Sequence, residues 1–322
     1  MSNQEHHEDH DPAQVTSRDR KLKPKYKPPA PADPVEGREV AQAQVISVSY
    51  GKCQVVNADG RFTCRNQLSV APGDFVGIAE GYRVKRILTR RTFLSRPDPI
   101  NPRIEKVVAA NMDLVVVVVA AANPPLHPGI IDRYLIAIER GGAQAAICVN
   151  KAELDATGSI DHVLQPYRSL PAPIVVCSAR TGLGLDHLRA IMEGKLCAFV
   201  GHSGVGKSSL LNALSPGAGA LTGGINEETG KGRHTTTRSN IYDLSDGARV
   251  IDTPGVREFG LMKLDPAEVR QYFHDFDEAA AHCRFSDCTH LHEPDCMVRA
   301  QVEQGIIPAA RYQRYKSICE AV

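Results

Sequence analysis

The sequence predicts a multidomain protein: a small β-barrel, an α/β unit built on a parallel sheet, and a small α-rich unit at the C-terminus. Three observations predict it. Residues 41–90 alternate apolar and polar side chains between short turns, and from 96 to 262 apolar segments alternate with helical ones. Beyond 263 the chain turns polar around a cluster of cysteines and histidines. A length of 322 residues suits two or three small domains, and a 42% hydrophobic content supports real cores.

The first stretch, 1–40, is rich in His, charge and Pro ("KPKYKPPAPADP") and too poor in large apolar side chains to fold, so it reads as a disordered tail. It carries no apolar run of the kind a secretory signal needs. The longest apolar run, "DLVVVVVAAA" at 113–122, is too short to span a bilayer. A soluble cytoplasmic protein without membrane contact is expected, and its nine cysteines are then not a disulfide framework. With 38 basic and 37 acidic residues, net charge says nothing about partners.

Residues 41–95 contain "VISVSYGKCQVVNADGRFTCRNQ" and "APGDFVGIAEGYRVKRIL", a pattern of short antiparallel strands and hairpins. A small closed barrel is expected, with the OB-fold as first candidate. A Pro-rich connector, 96–105, leads into strands expected at 113–121, 143–149, 173–177, 196–200 and 248–252, with helices near 129–141, 184–193 and 206–214. Continuous apolar strands separated by helices imply a parallel sheet covered on both faces.

"GHSGVGKS", from Gly201 to Ser208, satisfies the phosphate-loop pattern GxxxxGK[ST], with the apolar "LCAFV" before it and the helical "KSSLLNAL" after it. Backbone N–H groups of Gly201, His202, Ser203, Gly204, Val205, Gly206 and Ser209 are expected around phosphate oxygens, with Lys207 on the β/γ-phosphates and Ser208 on Mg²⁺. "RVIDTPG" ends an apolar strand on Asp252, near that Mg²⁺, and places the Gly255 N–H at the γ-phosphate. Between them, "TGKGRHTTTRSN" offers a threonine to close over Mg²⁺ and the γ-phosphate. Thr236 is the first choice, with Thr235 and Thr237 as alternates.

"NKAE" at 150–153 follows an apolar strand and matches a guanine-reading motif. Asn150 would bond the purine N7 and backbone, the Lys151 stem and Ala152 would flank the base, and Glu153 would accept from guanine N1–H and N2. Glutamate stands where aspartate is usual, so retained guanine preference with lower affinity is expected. "CSART" at 177–181 supplies Ser178 and Ala179, whose N–H would meet guanine O6. These elements run in the order NKAE, SA, GxxxxGKS, TTT, DTPG. Joining the usual termini and cutting after DTPG produces that order, so a circularly permuted P-loop GTPase domain, 96–262, is expected.

Val256 follows DTPG, where a water-orienting Gln is common, so intrinsic hydrolysis should be slow. His234 is the nearby side chain able to act on water near neutral pH, or else an exposed loop histidine. In the C-terminal stretch 263–322, Cys283, Cys288, His290 and Cys296 have the donor set of a closed structural Zn²⁺ site, with His282 and His292 as substitutes for His290. "ARYQRYKSI" at 310–318 reads equally as an RNA-facing helix or as one packed on the zinc unit.

Together these residues resemble the RsgA (YjeQ) family of bacterial GTPases that depend on the small ribosomal subunit. The resemblance covers about 41–318 and rests on the barrel, the permuted motifs, "GRHTTT", "DTPG" and the C-x4-C-x-H-x5-C cluster. It implies a monomeric factor that binds the 30S subunit and its 16S rRNA late in maturation, has its GTP hydrolysis stimulated there, and leaves as the GDP form. It also implies that His234 acts on the water. Two other readings stay open: a GTP-regulated RNA-binding module with negligible hydrolysis, and a P-loop enzyme using ATP.

Overall fold

The computed structural model describes residues 38–98, 100–101, 103–155, 158–215, 239–244, 246–252 and 264–321. Five short strands come first: β1 (Glu39–Ser49), β2 (Lys52–Asn57), β3 (Gly60–Arg65), β4 (Phe75–Ala79) and β5 (Arg83–Ile87). β1 pairs antiparallel with both β2 and β4, β2 pairs with β3, β3 meets β5 in parallel, and β4 closes on β5. The ring is therefore shut, with order 1-2-3-5-4-1. Its interior is Val45, Cys53, Val55, Cys64, Val76, Ile78 and Val84, the inward half of each alternating strand. Closure leaves β1 no exposed edge within the barrel.

The connector expected at 96–105 is instead a hairpin. β6 (Phe93–Pro97) pairs with β7 (Glu105–Ala110), and Pro97 stands at the last position of its strand. The parallel sheet follows: β8 (Leu114–Ala120), β9 (Gln144–Asn150), β10 (Ile174–Val176), β11 (Leu196–Val200) and β13 (Arg249–Asp252), in spatial order β10-β9-β8-β11-β13. A strand not foreseen from the sequence, β12 (Ser239–Asp243), lies antiparallel on β13 and continues into the barrel, with Ser47 opposite Asn240 and Val48 opposite Ser239. Barrel and sheet thus form one hydrogen-bonded surface.

Every β8 residue is buried because both faces are covered. Leu114, Val116 and Val118 pack with α3 (Leu185–Met192) and α4 (Lys207–Leu214). Val115, Val117 and Val119 pack with α1 (Pro128–Arg140) and α2 (Ser159–Leu164) on the other face. Each such valine contributes about 1.5–3 kcal/mol of burial. α1 starts with Pro128 in its first turn, where a missing N–H costs nothing, and stops at Gly141, where a Cβ would lie 1.8 Å from Phe93 O.

The C-terminal unit holds α5 (Pro266–Val269), α6 (Asp277–Ala280), α7 (Met297–Glu303) and α8 (Ala309–Ala321). α5 opens with a reciprocal Asp265–Glu268 capping box. Phe273, Phe276, Tyr312, Tyr315 and Ile318 form its core, which also takes in Ile136 of α1. Of the two readings of "ARYQRYKSI", packing is what the helix does: Arg311, Tyr312 and Tyr315 are buried. Among the described residues no helix is long and apolar enough to cross a membrane.

Candidate nucleotide site and metal centre

β8, β9, β10 and β11 run parallel, so the segments leaving their C-terminal ends gather on one edge of the sheet, where ligands of open α/β sheets bind. The Gly201–Ser208 loop leaves β11 and feeds α4. Three of its residues need glycine: Gly201, Gly204 and Gly206 have φ of 146°, 82° and 93°. A Cβ on Gly201 would sit 2.1 Å from Val118 O, and one on Gly206 would sit 2.3 Å from Asn150 Nδ2. Val205 is buried under the loop. Lys207 Nζ donates to the carbonyls of Gly201 (2.6 Å) and His202 (2.9 Å), which folds the cation over the loop. Ser208 is half-buried in the first turn of α4, while His202, Ser203 and Ser209 are exposed.

Asn150 ends β9 and is buried. Its Nδ2 donates to Val205 O (2.9 Å), and its Oδ1 accepts from the Ala179 N–H (3.0 Å). One amide therefore ties the phosphate loop to the loop after β10. Lys151 takes the left-handed conformation (φ 61°) and its ammonium donates to Asn123 O. Glu153 lies in a single 3-10 turn, Ala152–Leu154, anchored by the Ala152 N–H on Cys177 O (3.0 Å). The Ser178 hydroxyl beside Glu153 holds its carboxyl below the ordinary range. Ser178 itself is buried and its Oγ accepts from the Thr181 N–H (3.0 Å), which shapes the turn.

Asp252 is the last residue of β13, beside β11, opposite Asn240. Its side chain lies outside the described residues, as do Gly255, His234, Thr235, Thr236, Thr237 and Val256.

In the C-terminal unit, Cys283, Cys288, His290 and Cys296 converge, with all four donor atoms within 4.8 Å of one another. His290 Nδ1 is 3.6 Å from Cys283 Sγ and 3.5 Å from Cys296 Sγ, and those two sulfurs are 4.0 Å apart. Burial lowers the His290 pKa, favouring the neutral ring that a metal needs. His282 and His292, the substitutes considered from spacing, are exposed and outside the cluster. Tyr312 OH donates to His290 O (2.7 Å) and Tyr315 OH to Thr289 O, so α8 braces the ligand loop. Such a closed cluster can hold one metal ion.

The NKAE and SA segments therefore lie upstream of the GxxxxGKS loop in the chain and beside it on one sheet edge. Residues 87–262 match the family model described as RsgA GTPase. The chain belongs to the RsgA GTPase family. A small ribosomal subunit biogenesis GTPase RsgA of Pseudomonas aeruginosa (strain LESB58) is 40% identical over 301 residues, covering 89% of this chain and 88% of that one. The protein of the same name from Chlorobaculum parvum is 39% identical over 249 residues, covering 76% and 80%. Among solved structures, YjeQ from Thermotoga maritima superposes with a TM-score of 0.68 at 31% identity, covering 87% of this chain and 98% of that one. YloQ, described as a circularly permuted GTPase, gives 0.65 at 25% identity, covering 87% and 93%.

Two residues of this RsgA-family site were missed in the sequence. Asn123 holds the Lys151 ammonium, and its loop brings Pro124 to 3.7 Å from where a Cβ of Gly204 would stand. Tyr134 of α1, its pKa pushed up to about 12 by burial, receives the Gly201 N–H. "NPP" was a usable signal for the first; nothing in a single helical tyrosine pointed to the second.

Proposed function

We propose that this chain is a GTPase that binds the 30S ribosomal subunit, assists its late maturation, hydrolyses GTP to GDP and phosphate with stimulation by the subunit, and then dissociates. The observation that carries this reading is Asn150, one buried amide joining the Val205 and Ala179 backbones across the permuted chain order. The Gly201–Ser209 amides and Lys207 would hold the phosphates, while Lys151, Ala152, Glu153, Ser178 and Ala179 would read guanine. Asp252, Gly255, Thr236 and His234 keep the roles expected of them: the Mg²⁺ sphere, the γ-phosphate and the water. The half-buried Ser208 hydroxyl at the start of α4 is a hard oxygen donor of the type Mg²⁺ takes. Mg²⁺ there would neutralise charge between the β- and γ-phosphates.

Zinc is the proposed ion of the Cys283–Cys288–His290–Cys296 set. A tetrahedron with Zn–S of about 2.3 Å and Zn–N of about 2.0 Å has edges of about 3.8 and 3.5 Å. The observed 4.0 Å and 3.5–3.6 Å separations support it. The division proposed is 41–95 for the barrel, 96–262 for the GTPase unit and 263–322 for the zinc unit.

The order 1-2-3-5-4-1 supports an OB-fold barrel. Lys52, Arg65 and Arg83 stand in register across β2, β3 and β5, next to exposed Tyr50 and Tyr82. Phe62 and Tyr82 lie ring to ring at 5.5 Å. A cationic row beside aromatic faces suits the 16S rRNA backbone and its unpaired bases. A cytoplasmic monomer completes the reading. Multiple-turnover phosphate release from GTP and ATP, with and without 30S subunits, tests it together with sedimentation in each nucleotide state. Stimulated release from GTP alone is expected. Equal use of ATP, or no release in any condition, would overturn it.

A further inference from the structure

Two thiols outside the proposed nucleotide contacts lie between the base-reading strands. Cys148 comes two residues before Asn150 on β9, and Cys177 directly follows β10 and precedes Ser178. The parallel register sets Val175 opposite Cys148 and Val176 opposite Val149, so Cys148 and Cys177 turn to the same face. That face packs against Leu185, Leu188 and Met192. The two sulfurs are 3.3 Å apart and both residues are fully buried. A disulfide requires about 2.05 Å, so little more than about 1 Å of further approach is needed. β10 is a three-residue edge strand, and Cys177 lies just past its end.

We propose that Cys148 and Cys177 are a peroxide-sensitive modification site, whose oxidation to a disulfide displaces the base-reading loops and weakens guanine-nucleotide binding. The two sulfurs share a hydrogen bond, and Cys177, just past the end of the edge strand β10, is the one that meets the oxidant first. Its sulfur attacks hydrogen peroxide, the O–O bond breaks, and Cys177 becomes a sulfenic acid while the thiol proton leaves in water. The Cys148 sulfur then attacks the sulfenic sulfur, the S–O bond breaks, and a second water departs. Two thiols and one peroxide give one disulfide and two waters, with two electrons passing to the peroxide. A small oxidant is required because both thiols are buried, and local opening of the Ser178–Gly184 turn gives it access.

The consequence for binding rests on the base-reading role proposed above. Asn150 Oδ1 accepts from the Ala179 N–H, which is two residues beyond Cys177. Drawing Cys177 toward β9 shifts Ala179 against Asn150 and disturbs the bond that joins the two base-reading loops. Loss of one such hydrogen bond corresponds to about a tenfold weaker Kd.

The full chain, treated with hydrogen peroxide and alkylated, is digested and mapped by mass, and a fluorescent GDP is titrated into reduced and oxidised protein. We expect a Cys148–Cys177 cross-linked peptide pair, slower to form when GDP is bound, and about tenfold weaker GDP binding reversed by thiol reductant. Cys148→Ala and Cys177→Ala retain the three C-terminal cysteines of the metal cluster. Each is expected to bind GDP like the parent and to lose the peroxide effect. Both thiols remaining alkylatable, or a disulfide that leaves GDP affinity within about twofold, would overturn the proposal. Reduced parent protein that fails to bind GDP would overturn the functional reading and the effect on binding together, and the cross-link is read independently by mass.

Discussion

Asp132 of α1 and Arg311 of α8 form a buried ion pair that fastens the C-terminal unit to the sheet. Arg314 Nε joins the same carboxylate at 2.9 Å, and the other side of Arg311 meets Asp275 at 2.8 Å. The Arg311 guanidinium also lies over the Phe273 ring, 4.2 Å from its centroid. Burial pushes the Asp132 pKa up against the pull of both guanidiniums, whereas Arg311, facing two carboxylates, is pushed up too. A buried network of this kind adds little net stability over apolar packing.

Arg311→Met should be strongly destabilising, because it leaves the buried Asp132 with one guanidinium instead of two and takes Asp275's partner away. A loss of about 3–5 kcal/mol is expected from denaturant unfolding. The paired change Asp132→Leu with Arg311→Met should recover a large part of it. A single variant as stable as the parent would show that the pair fastens nothing.

A second link between the same units is titratable. His274 donates to Glu139 of α1 at 2.8 Å and sits 3.2 Å from Asp277. The Glu139 hydrogen bond, opposed by burial and helped by Asp277, pushes the His274 pKa up to about 9. A raised folded-state pKa gives stability that is full below the unfolded value near 6.5 and is lost as pH rises through about 9. The His274 side chain is 42% exposed, so screening keeps the contribution under about 1 kcal/mol. Urea midpoints of the parent and His274→Asn should differ at pH 6 and converge by about pH 10. A constant gap across that range would contradict the charged bridge.

Removal of the metal should unfold the C-terminal unit selectively. Its core beyond the cluster is a small set of aromatic and aliphatic side chains, and Glu293 commits its carboxylate to the ligand loop, accepting from Thr289 N (2.7 Å), Leu291 N (3.1 Å) and His292 N (3.2 Å). A chelator should make 264–321 newly sensitive to protease while the sheet survives. His290→Ala should lose the bound metal measured by elemental analysis, and His292→Ala should keep it. Retention by both variants would exclude His290 as a ligand.

What the sequence revealed follows from how local each constraint is. The phosphate loop was legible because backbone of that curvature needs glycine at Gly201, Gly204 and Gly206, whatever the rest of the chain does. The apolar β8 was legible for the same reason: burial on both faces leaves nothing to alternate. The junction of β1 with β12 was not, because Ser47 and Asn240 are brought together only by the closed barrel and the sheet. The choice among His282, His290 and His292 needed the left-handed turn at His290 (φ 62°), which spacing does not encode. In "ARYQRYKSI", interleaved cations and tyrosines fit RNA or a buried interface equally, and only Asp132, far away in sequence, decided it.

Glu153 stands where a shorter acid is usual, and its surroundings predict how it behaves. It is exposed in the Ala152–Leu154 turn, and the Ser178 hydroxyl lowers its carboxyl pKa, so it is ionised at neutral pH. An ionised acceptor suits the two N–H donors of guanine and offers nothing to adenine. The extra methylene gives the side chain one more torsion to immobilise on binding, at a cost of about 0.5–1 kcal/mol. Glu153→Asp should therefore tighten GDP binding by up to about fivefold with ADP still excluded. Glu153→Gln, which replaces one acceptor by a donor against guanine N2–H, should weaken GDP by about tenfold or more. Calorimetric titration of GDP and ADP into the three proteins reads both ratios. Tighter ADP binding by the parent than by Glu153→Asp would mean that the longer acid relaxes base selection instead of only weakening it.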